Sequence, residues 1–244
     1  MELTDKVALV TGSTAGIGSE TAKLMAQAGA QVIVSGRDAE RGAATVRAIE
    51  EGGGRARFIA ADLTDLTSLR GLADQAGAVD ILVNNAAILA PAPSVSQDVE
   101  TFDAVLAANV RAPYFLTAAL APAMITKGSG SIVNVSSTLA RVGTPGMSVY
   151  SSTKAAIESL TRTWAAEFSP AGVRVNAVAP GPTRTTALLS ALGEEGAEQV
   201  GKTTLLGRVA TPREIAEVIV FLATDRASYI TGATITADAG ANPA

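Results

Sequence analysis

Val7-Ala8-Leu9-Val10-Thr11-Gly12-Ser13-Thr14-Ala15-Gly16-Ile17-Gly18 runs an apolar, strand-like segment straight into a glycine-rich turn, and Glu20–Ala28 then carries helical character. Glycines at 12, 16 and 18 permit close backbone approach. A helix starting there would offer free N–H groups and the positive end of its dipole to a phosphate. Such turns are common, and this one gains weight from standing between a first strand and a first helix. Further short apolar runs follow at Val32–Val34, Phe58–Ala60, Ile81–Val83, Ile132–Val135, Val173–Val178 and Thr234–Ala237. Helical patterns lie between them at Arg41–Glu50, Leu66–Ala76, Tyr150–Phe168 and Pro212–Ala223. Short strands alternating with helices predict an α/β fold, a doubly wound parallel sheet of about seven strands with helices on both faces.

Local signals agree with this layout. Asp65, Ser151 and Thr211 fit N-cap or first-turn positions, and Gly29 and Gly77 fit helix ends. Gly52-Gly53-Gly54 reads as a turn between helix and strand. No linker, repeat or low-complexity block interrupts the chain, so residues 1–244 read as a single domain. The least regular segment, about 182–208, holds Gly193, Gly196, Gly201 and Gly207 and follows directly on a strand. It is expected to form a lid over a site at the carboxyl ends of the strands, where open α/β sheets bind ligands.

Composition narrows the chemistry. The chain is 48 % hydrophobic and 17 % charged, with a net charge of −4 and no long basic run, which argues against a nucleic-acid partner. It contains no cysteine and no histidine. Disulfides, thiolate nucleophiles, imidazole chemistry and the usual zinc sites are thereby excluded, no metal site is expected, and any acid–base group must be Tyr, Lys, Asp or Glu. The start of the chain lacks a signal pattern. Ala112–Thr126 is uncharged but carries two prolines and falls short of the ~20 residues a membrane span needs. A soluble, cytoplasmic protein with no membrane partner is the expectation.

Tyr150-Ser151-Ser152-Thr153-Lys154 sets a phenol and an ammonium four residues apart, on one face of the expected helix. Their ordinary pKa values of ~10 and ~10.4 make neither a good base at neutral pH. A positive charge held within ~4–6 Å would lower the tyrosine's pKa and make it a usable proton donor or acceptor. The pair alone is equally an exposed lysine beside a half-buried tyrosine.

The turn spacing Gly12-x-x-x-Gly16-x-Gly18, with Asn84-Asn85-Ala86-Ala87, Asn109, Ser137, Tyr150, Lys154 and Pro180-Gly181 in this order, resembles the classical short-chain dehydrogenases/reductases over essentially the whole chain. The resemblance implies a Rossmann fold, hydride transfer between a nicotinamide cofactor and a ketone or secondary alcohol, and a homotetramer. It further implies a catalytic set: Ser137, thirteen residues before the tyrosine, bonding the substrate oxygen, Tyr150 exchanging the proton, Lys154 tuning Tyr150 and holding the nicotinamide ribose, and Asn109 positioning a water. Cofactor contacts are implied for Gly12, Ser13, Thr14, Gly16, Ile17, Gly18, Asp62, Leu63, Asn84, Ala86, Tyr150, Lys154, Pro180, Gly181, Thr183 and Thr185. Ala87 stands where the family commonly has Gly. Strand two ends in Ser35-Gly36-Arg37-Asp38, without the carboxylate at 36 that NAD-preferring relatives usually carry, and Arg37 suits a 2′-phosphate. NADP(H) is therefore favoured, with NAD(H) the alternative. Reduction of 3-oxoacyl chains on a carrier protein is a narrower alternative, for which Arg111, Lys127 and Arg174 are the nearby basic residues. A non-catalytic dinucleotide-binding protein is an alternative of another class. Arg141 and Arg184 are the arginines able to reach a substrate carboxylate.

Overall fold

The computed structural model describes residues 1–241, so residues 242–244 of the expected domain lie outside the described residues. Side chains alternate between the two faces of a strand, and in β1 (Val7–Thr11) both faces are apolar. Ala8 and Val10 enter one core and Leu9 the other. The same holds for β2 (Gln31–Gly36), where Val32 and Val34 face one way and Ile33 the other. Strands buried on both faces must be covered on both faces, the condition that parallel sheets meet with helices.

The remaining strands are β3 (Arg55–Ala60), β4 (Ile81–Asn84), β5 (Gly130–Val135), β6 (Val173–Pro180) and β7 (Thr234–Ala237). All pair in parallel in the order β3-β2-β1-β4-β5-β6-β7. The order reverses between β1 and β4, which opens a crevice at their carboxyl ends. Helices α1 (Gly16–Gln27), α2 (Ala39–Glu51) and α8 (Pro212–Ala223) pack on one face through Met25, Ile49, Ile215 and Ile219. On the other lie α3 (Leu66–Ala76), α5 (Ala112–Lys127) and α6 (Ser148–Phe168), through Leu72, Leu116, Met124 and Trp164. This is the expected doubly wound sheet of a single domain.

Several boundaries move. β3 begins at Arg55 rather than Phe58, because an edge strand exposes alternate residues and its polar half carries no apolar run. α6 begins at Ser148 with Met147 at the N-cap, so Ser151 lies in the first turn and does not cap it. Asp65 and Thr211 do cap α3 and α8, the latter through a capping box with Glu214. α4 (Val99–Leu106) and α5 are joined by a π-helical turn, Ala107–Arg111, into one run, Val99–Lys127. That run is long and apolar enough to cross a membrane by length and composition, whereas the sequence expectation counted only its uncharged part. Its inner side is taken up by the core beneath α5. The segment after β6 holds α7 (Thr186–Lys202), broken at Gly193, where φ is 68°.

Asp80, just before β4, ties the amino ends of the strands together. Its carboxylate accepts from Val7 N at 2.8 Å and from Lys127 Nζ at 2.5 Å. Burial pushes its pKa up, but Lys127 and the Val7 N–H outweigh this and hold it below the usual carboxylate range. A depressed pKa adds stability at neutral pH that is lost as pH falls through the folded-state value. Asp80→Ala is expected to destabilise the protein by about 1–2 kcal/mol at pH 7. In urea titrations this deficit should shrink below pH ~4; a deficit independent of pH would refute the ionic origin.

Candidate active site

The turn after β1 is pressed against the turn after β4. A methyl at Gly12 would lie 2.8 Å from Ala86 Cα, and one at Gly18 2.4 Å from both Gly12 O and Asn85 Nδ2. Thr11 Oγ1 accepts from Asn85 N and Ala86 N, and Asn85 Nδ2 donates to Thr11 O and Gly12 O. Beside this junction runs a cleft of about 350 Å³. Gly12, Thr14, Gly16, Ile17, Arg37, Arg41, Asp62, Leu63, Ala86, Ile88 and Thr185 are among the residues that line it. Thr185 Cγ2 would stand 3.4 Å from a side chain at Gly16, so the segment after β6 reaches the turn.

Eight of the expected contact residues, Ser13, Gly18, Asn84, Tyr150, Lys154, Pro180, Gly181 and Thr183, are not part of this lining. Ser13 is fully buried, its hydroxyl donating to Val10 O and accepting from Ser35 N, so it shapes the turn from behind. Gly18 provides room for Asn85. Asn84 points inward, donating to Asn134 Oδ1 and Thr117 Oγ1. Strand alternation sends Asn85 to the cleft in its place, a parity that the Asn84-Asn85 pair does not reveal in sequence. Pro180, Gly181 and Thr183 also stay out of the lining. Gly181 packs on Asp238, and Thr183 bonds Gly181 O and bridges to Ala210, which holds Thr185 in place. Arg41 and Thr64 are lining residues that sequence reasoning missed; Arg41 follows the N-cap of α2 by three residues, and its spacing from Arg37 was the available signal.

Asp38 is engaged with Arg41, accepting from its backbone N at 3.0 Å and its Nε at 2.6 Å. Asp62 accepts from the Thr64 N–H and hydroxyl, which with Arg37 hold its carboxyl below the usual range.

The four expected catalytic residues converge from three segments at the other side of the crevice. Asn109 sits in the π-helical turn, 1 % exposed, and its amide accepts from Ile88 N and donates to Ile88 O and Thr153 Oγ1. It therefore clamps the backbone of a cleft residue. Ser137, at the end of β5, caps a 3₁₀ turn, Thr138–Ala140, and its hydroxyl accepts from Leu139 N. Ser136 turns the other way, donating toward Lys154 O and Glu158 Oε1. Lys154 is buried, its Nζ donating to Val135 O at 2.7 Å and lying 5.5 Å from the Tyr150 ring centroid.

Burial raises the Tyr150 pKa, and the Ser137 hydroxyl offsets part of the rise. Burial also lowers Lys154, to about 8, which leaves it largely charged at neutral pH. Arg141 pairs with Glu158, and Arg184 with Glu194, so neither is a free clamp for a carboxylate.

A family model described as "Enoyl-(Acyl carrier protein) reductase" matches residues 12–242. The 3-oxoacyl-[acyl-carrier-protein] reductase of Thermotoga maritima is 38 % identical over 98 % of this chain and 99 % of its own. The cis-4-hydroxycyclohexanecarboxylate dehydrogenase of Sinomonas cyclohexanicum is 40 % identical over 97 % and 96 %. The chain belongs to the short-chain dehydrogenase/reductase family. Among solved structures, one described as a short chain dehydrogenase/reductase family protein superposes with a TM-score of 0.93 at 52 % identity over 98 % of both chains. A candidate NAD(P)-dependent gluconate 5-dehydrogenase from Beutenbergia cavernae, with bound NADP, superposes with a TM-score of 0.95 at 36 % identity over 100 % of this chain and 99 % of its own.

As a short-chain dehydrogenase/reductase this chain is an oxidoreductase acting on CH–OH and C=O groups with a nicotinamide dinucleotide. The cleft fits that cofactor on its own chemistry. α1 begins at Gly16 beside the cleft, and its N-cap residue Ala15 makes no side-chain hydrogen bond to it. Orphan N–H groups at that end would be free for a pyrophosphate.

Because the folded Lys154 pKa lies below its unfolded value, the folded chain binds fewer protons than the unfolded chain between about 8 and ~10.4, and stability rises with pH in that window. Thermal unfolding of the cofactor-free protein and of Lys154→Met should show the parent gaining on the variant as pH rises from 8 to 10. A constant difference would show that Lys154 keeps its ordinary pKa.

Proposed function

We propose that this chain is an NADPH-dependent ketone reductase, reversible as a secondary-alcohol dehydrogenase, in which Ser137, Tyr150, Lys154 and Asn109 carry the site. The observation that carries this reading is the convergence of two hydroxyls, Ser137 and Tyr150, with a buried ammonium behind them. The cofactor supplies or accepts the hydride. As negative charge grows on the carbonyl oxygen, both hydroxyls donate to it, and Tyr150 delivers its proton. Lys154, charged below about pH 8, favours the tyrosinate that remains. Asn109 keeps the Ile88 backbone in place along the cleft.

NADP(H) is favoured over NAD(H) because Arg37 and Arg41 both line the adenosine end and Gly36 offers no carboxylate to a ribose 2′-hydroxyl. A bound NADP in the Beutenbergia cavernae structure supports this. Small ketones and cyclic alcohols are favoured over carrier-bound acyl chains. Lys127 and Arg174 lie at the amino ends of β5 and β6, across the sheet from the site, and Arg111 is spent on Thr64 O at 2.5 Å. Relatives named cyclopentanol dehydrogenase and cis-4-hydroxycyclohexanecarboxylate dehydrogenase support the choice. A soluble cytoplasmic enzyme and a homotetramer belong to the same proposal. The packing of Val99–Lys127 into the core supports the first, and exposed Phe102, Tyr114 and Phe115 on that run support the second. The segment 182–208, with Thr185 over Gly16 and a break at Gly193, is proposed as the lid.

NADPH consumption over cyclopentanone, a keto-gluconate, a quinone and acetoacetyl-coenzyme A tests the substrate class; activity confined to the thioester would favour the carrier-protein reading. Tyr150→Phe is expected to keep NADPH binding while kcat falls by about 100-fold or more; near-normal kcat would sink the mechanism.

Cofactor choice has a steric component. A side chain at 36 would meet Thr14 Cγ2 at 2.7 Å and Oγ1 at 3.2 Å, and a β-branched residue cannot turn both branches away. Gly36→Asp alone is expected to weaken NADPH without gaining NADH, whereas Gly36→Asp with Thr14→Gly should bind NADH. Fluorescence titration with each reduced cofactor decides this, and tight NADH binding by the single variant would show that Thr14 yields.

A further inference from the structure

Glu158 is a carboxylate 6 % exposed that the proton path just described does not use. It stands one turn beyond Lys154 on α6, and both of its oxygens are engaged. Oε1 accepts from Ser136 Oγ at 3.0 Å, and Oε2 from Arg141 Nε at 3.2 Å. Ser136 and Arg141 are the residues that bracket Ser137 and its 3₁₀ turn. One carboxylate thus holds both ends of the segment that presents the Ser137 hydroxyl, and holds them against the helix that carries Tyr150 and Lys154.

The surrounding bonds strengthen the bracket. Ser136 shares its single proton between Glu158 and Lys154 O at 3.2 Å, and Arg141 Nη1 reaches Thr236 Oγ1 on β7 at 3.3 Å. A well-packed apolar side chain at 158 could fill the space without the desolvation cost of a buried charge, so stability alone does not call for an acid here. What an acid adds is direction: two fixed acceptors facing two donors on the same short segment. Direction matters for Ser137, because a donor aimed at a developing oxyanion loses its effect when displaced by about 1 Å.

We infer that Glu158 is a positioning residue for Ser137, fixing the hydroxyl's aim toward the substrate oxygen. The inference rests on the proposed role of Ser137. Its test is a double-mutant cycle of Glu158→Gln with Ser137→Ala, run with NADPH and the fastest carbonyl of the panel above, alongside thermal unfolding and NADPH titration. Glu158→Gln is expected to lower kcat about tenfold while KM and NADPH affinity stay within about twofold, and the same change in the Ser137→Ala background to lower kcat by less than about twofold. Equal fold-losses in both backgrounds would mean that Glu158 acts on the site as a whole, and would overturn the inference, as would normal kcat in Glu158→Gln. Near-normal kcat in Ser137→Ala would overturn the active-site reading, and this inference with it. If Glu158→Gln does not fold, Arg141→Ala at the half-exposed outer end of the bracket takes its place in the cycle, with a loss of about threefold expected and the same non-additivity required.

Discussion

The joint between the β1 and β4 turns is the constraint from which the rest of the site follows. These strands are neighbours at the point where the sheet order reverses, and the chain leaves them in opposite directions. Thr11 closes the joint: its hydroxyl donates to Val83 O and accepts two N–H groups, so every polar valence of that buried oxygen is used. Asn85 satisfies the two carbonyls that the tight turn would otherwise orphan. Glycine at 12 and 18 is then a matter of space. With the joint fixed, the amino end of α1 faces an open cleft instead of a protein side chain, and the anion-binding character of the site is the residue of an incomplete cap.

The proton-handling groups are governed by burial. A chain without histidine or cysteine is left with Tyr, Lys, Asp and Glu for acid–base chemistry, and the two that meet at this site have ordinary pKa values far above neutrality. Burial moves the two partners in opposite senses, raising the phenol and lowering the ammonium. Lys154 is thereby brought close to physiological pH, while Tyr150 stays protonated, the form needed to donate to a carbonyl oxygen. Helix spacing sets the pair on one face, but the low dielectric around them comes from packing α6 against β5, the π-helical turn and the 138–140 turn, which helix spacing does not reveal.

Much was legible in the chain itself. The strands were visible as short apolar or β-rich runs, most plainly in β1, β4, β5 and β6, which are buried on both faces, and the glycine turn announced the cleft because strand, turn and helix are contiguous. Gly12, Thr14, Gly16, Ile17, Arg37, Asp62, Leu63, Ala86 and Thr185 do line it. For Ser13 and Asn84, proximity in sequence to the cleft was taken for contact with it, yet their side chains turn into the interior. α5 was not read as a helix because a run that is apolar on all sides has no periodicity to read.

The sequence by itself determined the order of strands and helices along the chain, the absence of thiol and imidazole chemistry, and the residue types available to move a proton, because these are properties of composition and local spacing. Only the tertiary structure decided which of two adjacent residues faces the cleft, that burial lowers the Lys154 pKa, and that Glu158 brackets Ser137. Each of these depends on contacts between separate elements, and side-chain direction and local dielectric exist only once that packing is made.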